Sequence, residues 1–315
     1  MRFPVLFLGA LLILAVNAYP WGGEGHRAIA WAVRTQLSPE ARAKIEKILG
    51  NDDLAAEAGW LDDVRIARRR HSGPLKDDPE AQEFNNRFSK NDVWHYIDLP
   101  VGSATYAESS PLASKDDIVH AIDHAIDVLE GRASDLTERQ ALRVLIHLVG
   151  DAHQPLHAAA GYYDLSDSAH PKLVSDPAIA ATKPHDRGGN QLFYDGALQL
   201  HALWDDVMVM DLIRATPHQS LASQLRAEAD NQNWMTPGDY HHWAEKWIED
   251  SAAQAVEVYR GIVFGAATIG PKDTIERIEI TLPEGYVEKQ LPRAKTQLAK
   301  AAAHLAQLLN SIRFQ

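Results

Sequence analysis

Apolar residues recur at three- and four-residue spacing along most of this chain, at 26–37, 39–49, 54–69, 115–129, 137–149, 198–215, 221–229 and 240–264. That period gives each segment one stripe to bury, so the fold class expected is all-α, a single-domain bundle of many helices. Ser38 before Pro39, and Thr137 before its apolar face, supply helix starts. Alternation at 274–282 suggests a short strand with no evident partner. A last helix over 284–312 should be kinked by Pro292 and pack on the outside of the bundle. Segments 72–92 and 158–189 are rich in Asp, Pro, Ser, Asn and Gly and read as long surface loops beside whatever site the helices build.

Met1 and Arg2, the apolar run 5–16 and then Asn17-Ala18 have the three parts of a secretory signal peptide, so the protein is expected to be secreted or periplasmic. The run is shorter than the roughly 20 residues a membrane span needs, and no later stretch serves as an anchor. The division expected is 1–20 as signal and cleavage region and 21–315 as one domain. There are no cysteines, which leaves an exported chain to obtain its rigidity from a large core or from bound metal. A formal charge of -12 argues against a broad basic surface of the kind that holds duplex DNA.

The run HLVGDAHQPLH ends one of the helical segments. His147 and Asp151 stand four apart, on one face of a helix, where they can meet a common ion; Pro155 stops the helix and lets His157 approach from another direction. HALWD repeats the arrangement with His201 and Asp205. One such pair is ordinary helix-end chemistry, and two independent pairs point toward metal. His95 in WHYID, Asp62 in GWLDDVR and the glycine-spaced WGGEGH from Trp21 to His26 are further candidates, each weak alone.

In its ordered set WGxxGH, WxDxxR, WHYID, HxxGDxHQPLH, GGN and HxxWD, the chain resembles the single-strand-specific zinc nucleases of the S-one/P-one type, which share a fold with bacterial zinc-dependent phospholipase C. The resemblance runs from Trp21 to about Phe264 and implies a trinuclear zinc cleft. It implies one zinc on Asp62, His95, His147 and Asp151, a second on His157, His201 and Asp205, and a third on Trp21 through its amino group and carbonyl, His26 and the bridging Asp151. His153 takes a supporting role. The implied activity is endonucleolytic hydrolysis of single-stranded DNA and RNA to 5′-phosphates, with 3′-nucleotidase activity and nucleotides among the substrates. Asp62 would orient or deprotonate the attacking water, and Arg65, one turn on, would grip phosphate. Tyr96 would stack an unpaired base, Asp98 would bond its edge, and Asn190 would contact substrate.

Two features depart from the pattern. Family enzymes begin at the zinc-binding Trp, whereas the best cleavage site here, after Ala18, would leave Tyr19-Pro20 ahead of Trp21 unless the cut follows Pro20. The loop before GGN is also long and holds His170 and His185, read here as solvated. The absence of disulfides points to a bacterial-type member, expected to be a monomer. The rival readings are a zinc phospholipase C and a non-catalytic exported zinc-binding protein; Asp205, where the phospholipases carry Glu, favours the nuclease.

Overall fold

The computed structural model describes residues 21–315 apart from 52, 104, 108–111 and 216–219. The expected signal peptide therefore lies outside the described residues. Helix Glu138–Asp151 runs through the middle of the molecule, every residue from Gln140 to Asp151 being buried. Thr137 starts it with a full capping box, its hydroxyl taking the N–H of Gln140 while the Gln140 side chain returns to the N–H of Thr137. Around it pack Gly22–Val33, Pro39–Leu49, Leu54–Glu57, Trp60–Arg70, Ile118–Leu129 and Tyr286–Ser311. Buried apolar residues from Trp21 to Ile312 form one continuous core.

The expected segment 54–69 is two helices, because the chain turns at Ala58-Gly59 before Trp60. The first helix begins at Gly22, so WGGEGH is helical and not a loop. Segment 72–92 contains the helix Pro79–Arg87, capped by Asp78.

The fold is not all-α. Helix Trp243–Tyr259 stops short of the expected 264: Gly261 takes a left-handed φ of 77°, and the β-branched, glycine-bearing Val263–Ile269 is a strand. It pairs antiparallel with Ile275–Thr281, which lies parallel to Leu192–Tyr194, itself antiparallel to Leu198–Gln199. The segment expected to lack a partner is thus an inner strand of a four-stranded sheet, with Ile275, Ile278 and Ile280 buried. Two-residue pairings join Leu99–Pro100 to Ala159–Ala160 and Tyr163–Asp164 to Lys172–Leu173.

The last helix, Tyr286–Ser311, corrects two expectations. It continues through Pro292, which is exposed, as is Glu288, whose carbonyl the missing N–H would have met; water can serve that carbonyl instead. It also lies inside the bundle. Leu298, Ala299, Ala301, Ala302, Leu305 and Leu308 have no exposed surface.

Candidate metal centre and cleft

His147 and Asp151 leave the central helix on one face, both fully buried, with His147 Nε2 3.3 Å from Asp151 Oδ2. The break at Ala58-Gly59 has a local purpose: the Ala58 carbonyl it frees accepts from His147 Nδ1 at 2.8 Å and turns Nε2 toward the centre. The Trp60–Arg70 helix that follows carries Asp62 on its first turn. His95 ends the short helix Asn91–His95 with Nδ1 2.9 Å from Asp151 Oδ2 and 3.2 Å from His147 Nε2. From the first helix, His26 brings Nε2 to 3.1 Å from Asp151 Oδ1.

Gln154 and Pro155 then start the short helix Pro155–Ala158, which swings His157 back. Its Nδ1 donates to the His95 carbonyl at 2.7 Å, so Nε2 faces Asp205 at 3.9 Å. His201 is oriented in the same way by the Gly188 carbonyl, 2.6 Å from Nδ1, and its Nε2 stands 3.0 Å from Asp205 Oδ2. The helix expected over 198–215 is interrupted between these ligands, because Leu203–Val207 is a π-helical turn that contains Asp205. Trp21 is buried in a left-handed conformation, its backbone N–H donating to Asp205 Oδ1 at 3.2 Å and its indole to the Gly150 carbonyl at 2.9 Å.

Three groups of ligand atoms result: His26, Asp62 and His147; His95, His147 and Asp151; and His157, His201 and Asp205. Every side-chain ligand expected from sequence is thus gathered here. Trp21 alone reaches the cluster through Asp205, where the reading from sequence placed it with His26 and Asp151.

Both ring nitrogens of His26, both oxygens of Asp62, Asp151 Oδ1, His95 Nε2, His157 Nε2 and Asp205 Oδ2 are buried and make no well-aligned hydrogen bond, although Arg65 stands 2.6 Å from Asp62 Oδ1, His26 Nε2 3.1 Å from Asp151 Oδ1 and His201 Nε2 3.0 Å from Asp205 Oδ2 as charge contacts. Lone pairs of carboxylates and imidazoles orphaned at this density fit divalent cations. The electrostatics agree. Burial, helped by the neighbouring His147, lowers His26, and burial with Arg65 holds His95 well below the usual imidazole range. Burial would also lower His147, but the Asp151 and Asp62 carboxylates outweigh it and raise that ring to about 9. Burial works against ionised Asp151, yet His147 and His157 hold it well below the usual carboxylate range.

His95, His157, His201 and Asp205 of the cluster line a cleft of about 650 Å³. Arg65 lines it, 2.6 Å from Asp62 Oδ1. Tyr96 and Asp98 line it too, half-buried, alternating with the buried His95 and Ile97. Asn190 is at the rim, but its amide donates to the Arg187 carbonyl at 2.9 Å, the turn role its glycine neighbours suggest. Ile66 and Leu156 are the aliphatic side chains of the lining, too few to hold acyl chains. That disfavours a lipid substrate.

Three residues of the site, Gln154, Asp186 and Asp206, were not singled out from sequence, and a fourth, His185, was read differently. Gln154, inside HQPLH, donates to Asp205 Oδ1 at 2.8 Å while accepting from the Leu156 N–H. Asp186 is fully buried, accepting from the Tyr163 and Tyr259 hydroxyls and from the N–H groups of Gly161 and Gly189, and so fixes the GGN turn. Asp206, beside a ligand in HALWDD, is pushed up to about 8 by burial and by Asp205. His185, read as solvated, instead stacks on Tyr162 at 5.1 Å with Nδ1 3.5 Å from Asp98 Oδ2, whereas His170 is exposed as expected. For Gln154 and Asp206 the signal lay in the motifs themselves; for Asp186 and His185 the partners are too distant in sequence to be read.

A family model described as S1/P1 Nuclease matches residues 21–313. Endonuclease 3 of Arabidopsis thaliana is 24% identical over 99% of this chain and 95% of its own. Nuclease P1 of Penicillium citrinum is 25% identical over 93% of this chain and 97% of its own, and Nuclease S1 of Aspergillus oryzae is 26% identical over 63% and 58%.

Proposed function

The chain belongs to the S1/P1 nuclease family, and from that membership we propose a zinc-dependent endonuclease that hydrolyses single-stranded DNA and RNA to 5′-phosphate products and also acts as a 3′-nucleotidase. The observation that carries the reading is the convergence of buried histidine and aspartate atoms without well-aligned hydrogen bonds under an arginine-bearing cleft.

Asp62, His95, His147 and Asp151 would hold one zinc, His157, His201 and Asp205 a second, and His26, the bridging Asp151 and the Trp21 main chain a third. Zinc there supplies the charge that acidifies water and neutralises phosphoryl oxygens. Asp62, fully buried and held by Arg65, would orient the attacking water and take its proton. The Arg65 guanidinium has donors beyond those facing Asp62 and grips the phosphate. Tyr96 presents an aromatic face to one unpaired base, and Asp98 accepts from that base's edge. Such stacking is worth about 1–3 kcal/mol and needs a base outside a duplex, which sets the preference for single strands. Asn190 has its amide oxygen left for substrate.

In this reading the enzyme is secreted or periplasmic, with no membrane anchor and a single catalytic domain over 21–315 that acts as a monomer. No helix among the described residues is long and apolar enough to cross a membrane. The test is intact mass and metal content of the purified protein, with cleavage of single- and double-stranded DNA on the same sample. Three zincs per chain, an amino terminus at Trp21 and strong single-strand preference are expected. Zinc without cleavage would overturn the nuclease reading, and two zincs with Tyr19 retained would reduce the centre to a dinuclear one.

A further inference from the structure

Arg187 has a left-handed φ of 57° between Asp186 and Gly188. For a residue with a side chain this conformation is strained and persists only where the surroundings over-determine it. Here they do. Asp186 is tied down by two tyrosine hydroxyls and two backbone N–H groups, and the Asn190 amide holds the Arg187 carbonyl. On the other side, a Cβ on Gly188 would lie 2.0 Å from the Leu156 carbonyl. The same turn orients the ligand His201 through the Gly188 carbonyl. Arg187 therefore stands on backbone rigidly linked to the metal centre.

Its side chain is exposed and lines the cleft, and among the described residues no carboxylate lies within ion-pair distance of its guanidinium. The Trp60–Arg70 helix contributes Arg69, one turn beyond Arg65, to the same cleft. Asp92 is shared between Arg68 and Arg69, 3.0 Å from Arg69 Nε, and leaves net positive charge there. Arg69 and Arg187, from separate elements, thus line the same cleft as Tyr96 in a chain of net charge -12. Positive charge concentrated at one cleft of an acidic protein concentrates polyanions there.

We propose that Arg187 and Arg69 bind the phosphates flanking the scissile linkage, making the cleft a site for a polymer strand and not for an isolated phosphodiester. The assignment rests on the nuclease reading for the position of the scissile linkage. The flanking phosphates carry no base information, so the two arginines add affinity uniformly across sequences.

The test uses the zinc-loaded full chain and a labelled oligothymidylate with phosphorothioate linkages, which keep the charge and slow hydrolysis. Each single-strand phosphate contact adds about 0.7 to the slope of log binding constant against log salt, so the double variant Arg69→Gln/Arg187→Gln should lose about 1.4. An unchanged slope overturns the proposal. On thymidine tetramers, the wild type should cut the central linkage about tenfold more efficiently when the two flanking linkages are charged than when they are methylphosphonates, and the double variant should erase that difference; a retained difference also overturns it. A wild type that binds with the arginine-dependent slope but cuts no strand would sink the nuclease reading and leave the phosphate assignment standing.

Discussion

A Cβ built on Gly150 would lie 2.7 Å from Nδ1 of His26, so the imidazole rests directly on the bare backbone of the central helix. Both residues are buried and neither can move aside cheaply. Gly150→Ala should displace His26, lower bound metal by one equivalent and cut nuclease activity at least tenfold. Overpacking of this kind also costs about 1–3 kcal/mol. Elemental analysis beside a urea midpoint measures both, and an alanine variant with its full metal complement would remove the argument.

Asp62→Asn keeps the shape of the side chain and removes its basicity. If Asp62 takes the proton of the attacking water, turnover should fall by about 10²–10⁴ even when the variant is compared with the wild type at full metal loading, with excess zinc offsetting the weakened ligand. Steady-state kinetics on metal-assayed protein decide the point. Full activity with every metal bound would eliminate Asp62 as the base.

Chelation should lower the melting temperature as well as the activity. The ligand carboxylates and imidazoles are buried together, and without cations their orphaned atoms weigh against the folded state. Calorimetry with and without a chelator checks this, with zinc added back to restore the original melting point. Loss of activity with unchanged melting would separate the metals from folding.

His304, on the last helix, donates its Nε2–H to the Trp234 carbonyl at 2.5 Å and sets Nδ1 2.7 Å from His153 Nε2. Burial keeps it neutral and lowers it to about 4, against an unfolded value near 6.5. Between those values the unfolded chain takes a proton that the folded chain refuses, so stability falls as pH drops from 6.5 toward 4. The contribution is at most about 1.4 kcal/mol per pH unit from this residue. Urea midpoints across that window, in constant chelator, should show a shallower acid slope for His304→Gln than for the wild type. An identical slope would assign the acid sensitivity elsewhere, with His153 the first candidate since burial lowers it too.

Periodicity identified most helices because each has one buried stripe, and Pro39–Leu49 matches its expected bounds. It failed where the apolar pattern continued but the backbone did not, at Ala58-Gly59 and within 203–207, both places where a ligand is aimed. It failed again at 263–269, where glycine and β-branched residues outweigh a pattern that either structure satisfies. The side-chain ligands were legible because pairs four apart declare themselves within one helix. Asp186 and His185 depend on partners tens of residues away, and no local pattern reveals them.

Tyr286–Ser311, a helix buried within the bundle, follows in chain order every helix that carries a side-chain ligand. Tyr286–Ser311 packs against helices from the first, central and later parts of the chain, so their apolar faces have no common partner until it arrives. Ligands on the Gly22–Val33, Trp60–Arg70 and Glu138–Asp151 helices leave the ribosome long before the segment that closes the core behind them. Metal capture is thereby tied to the arrival of this helix, and a chain terminated before it would carry the whole set of side-chain ligands with no interior to hold it in place.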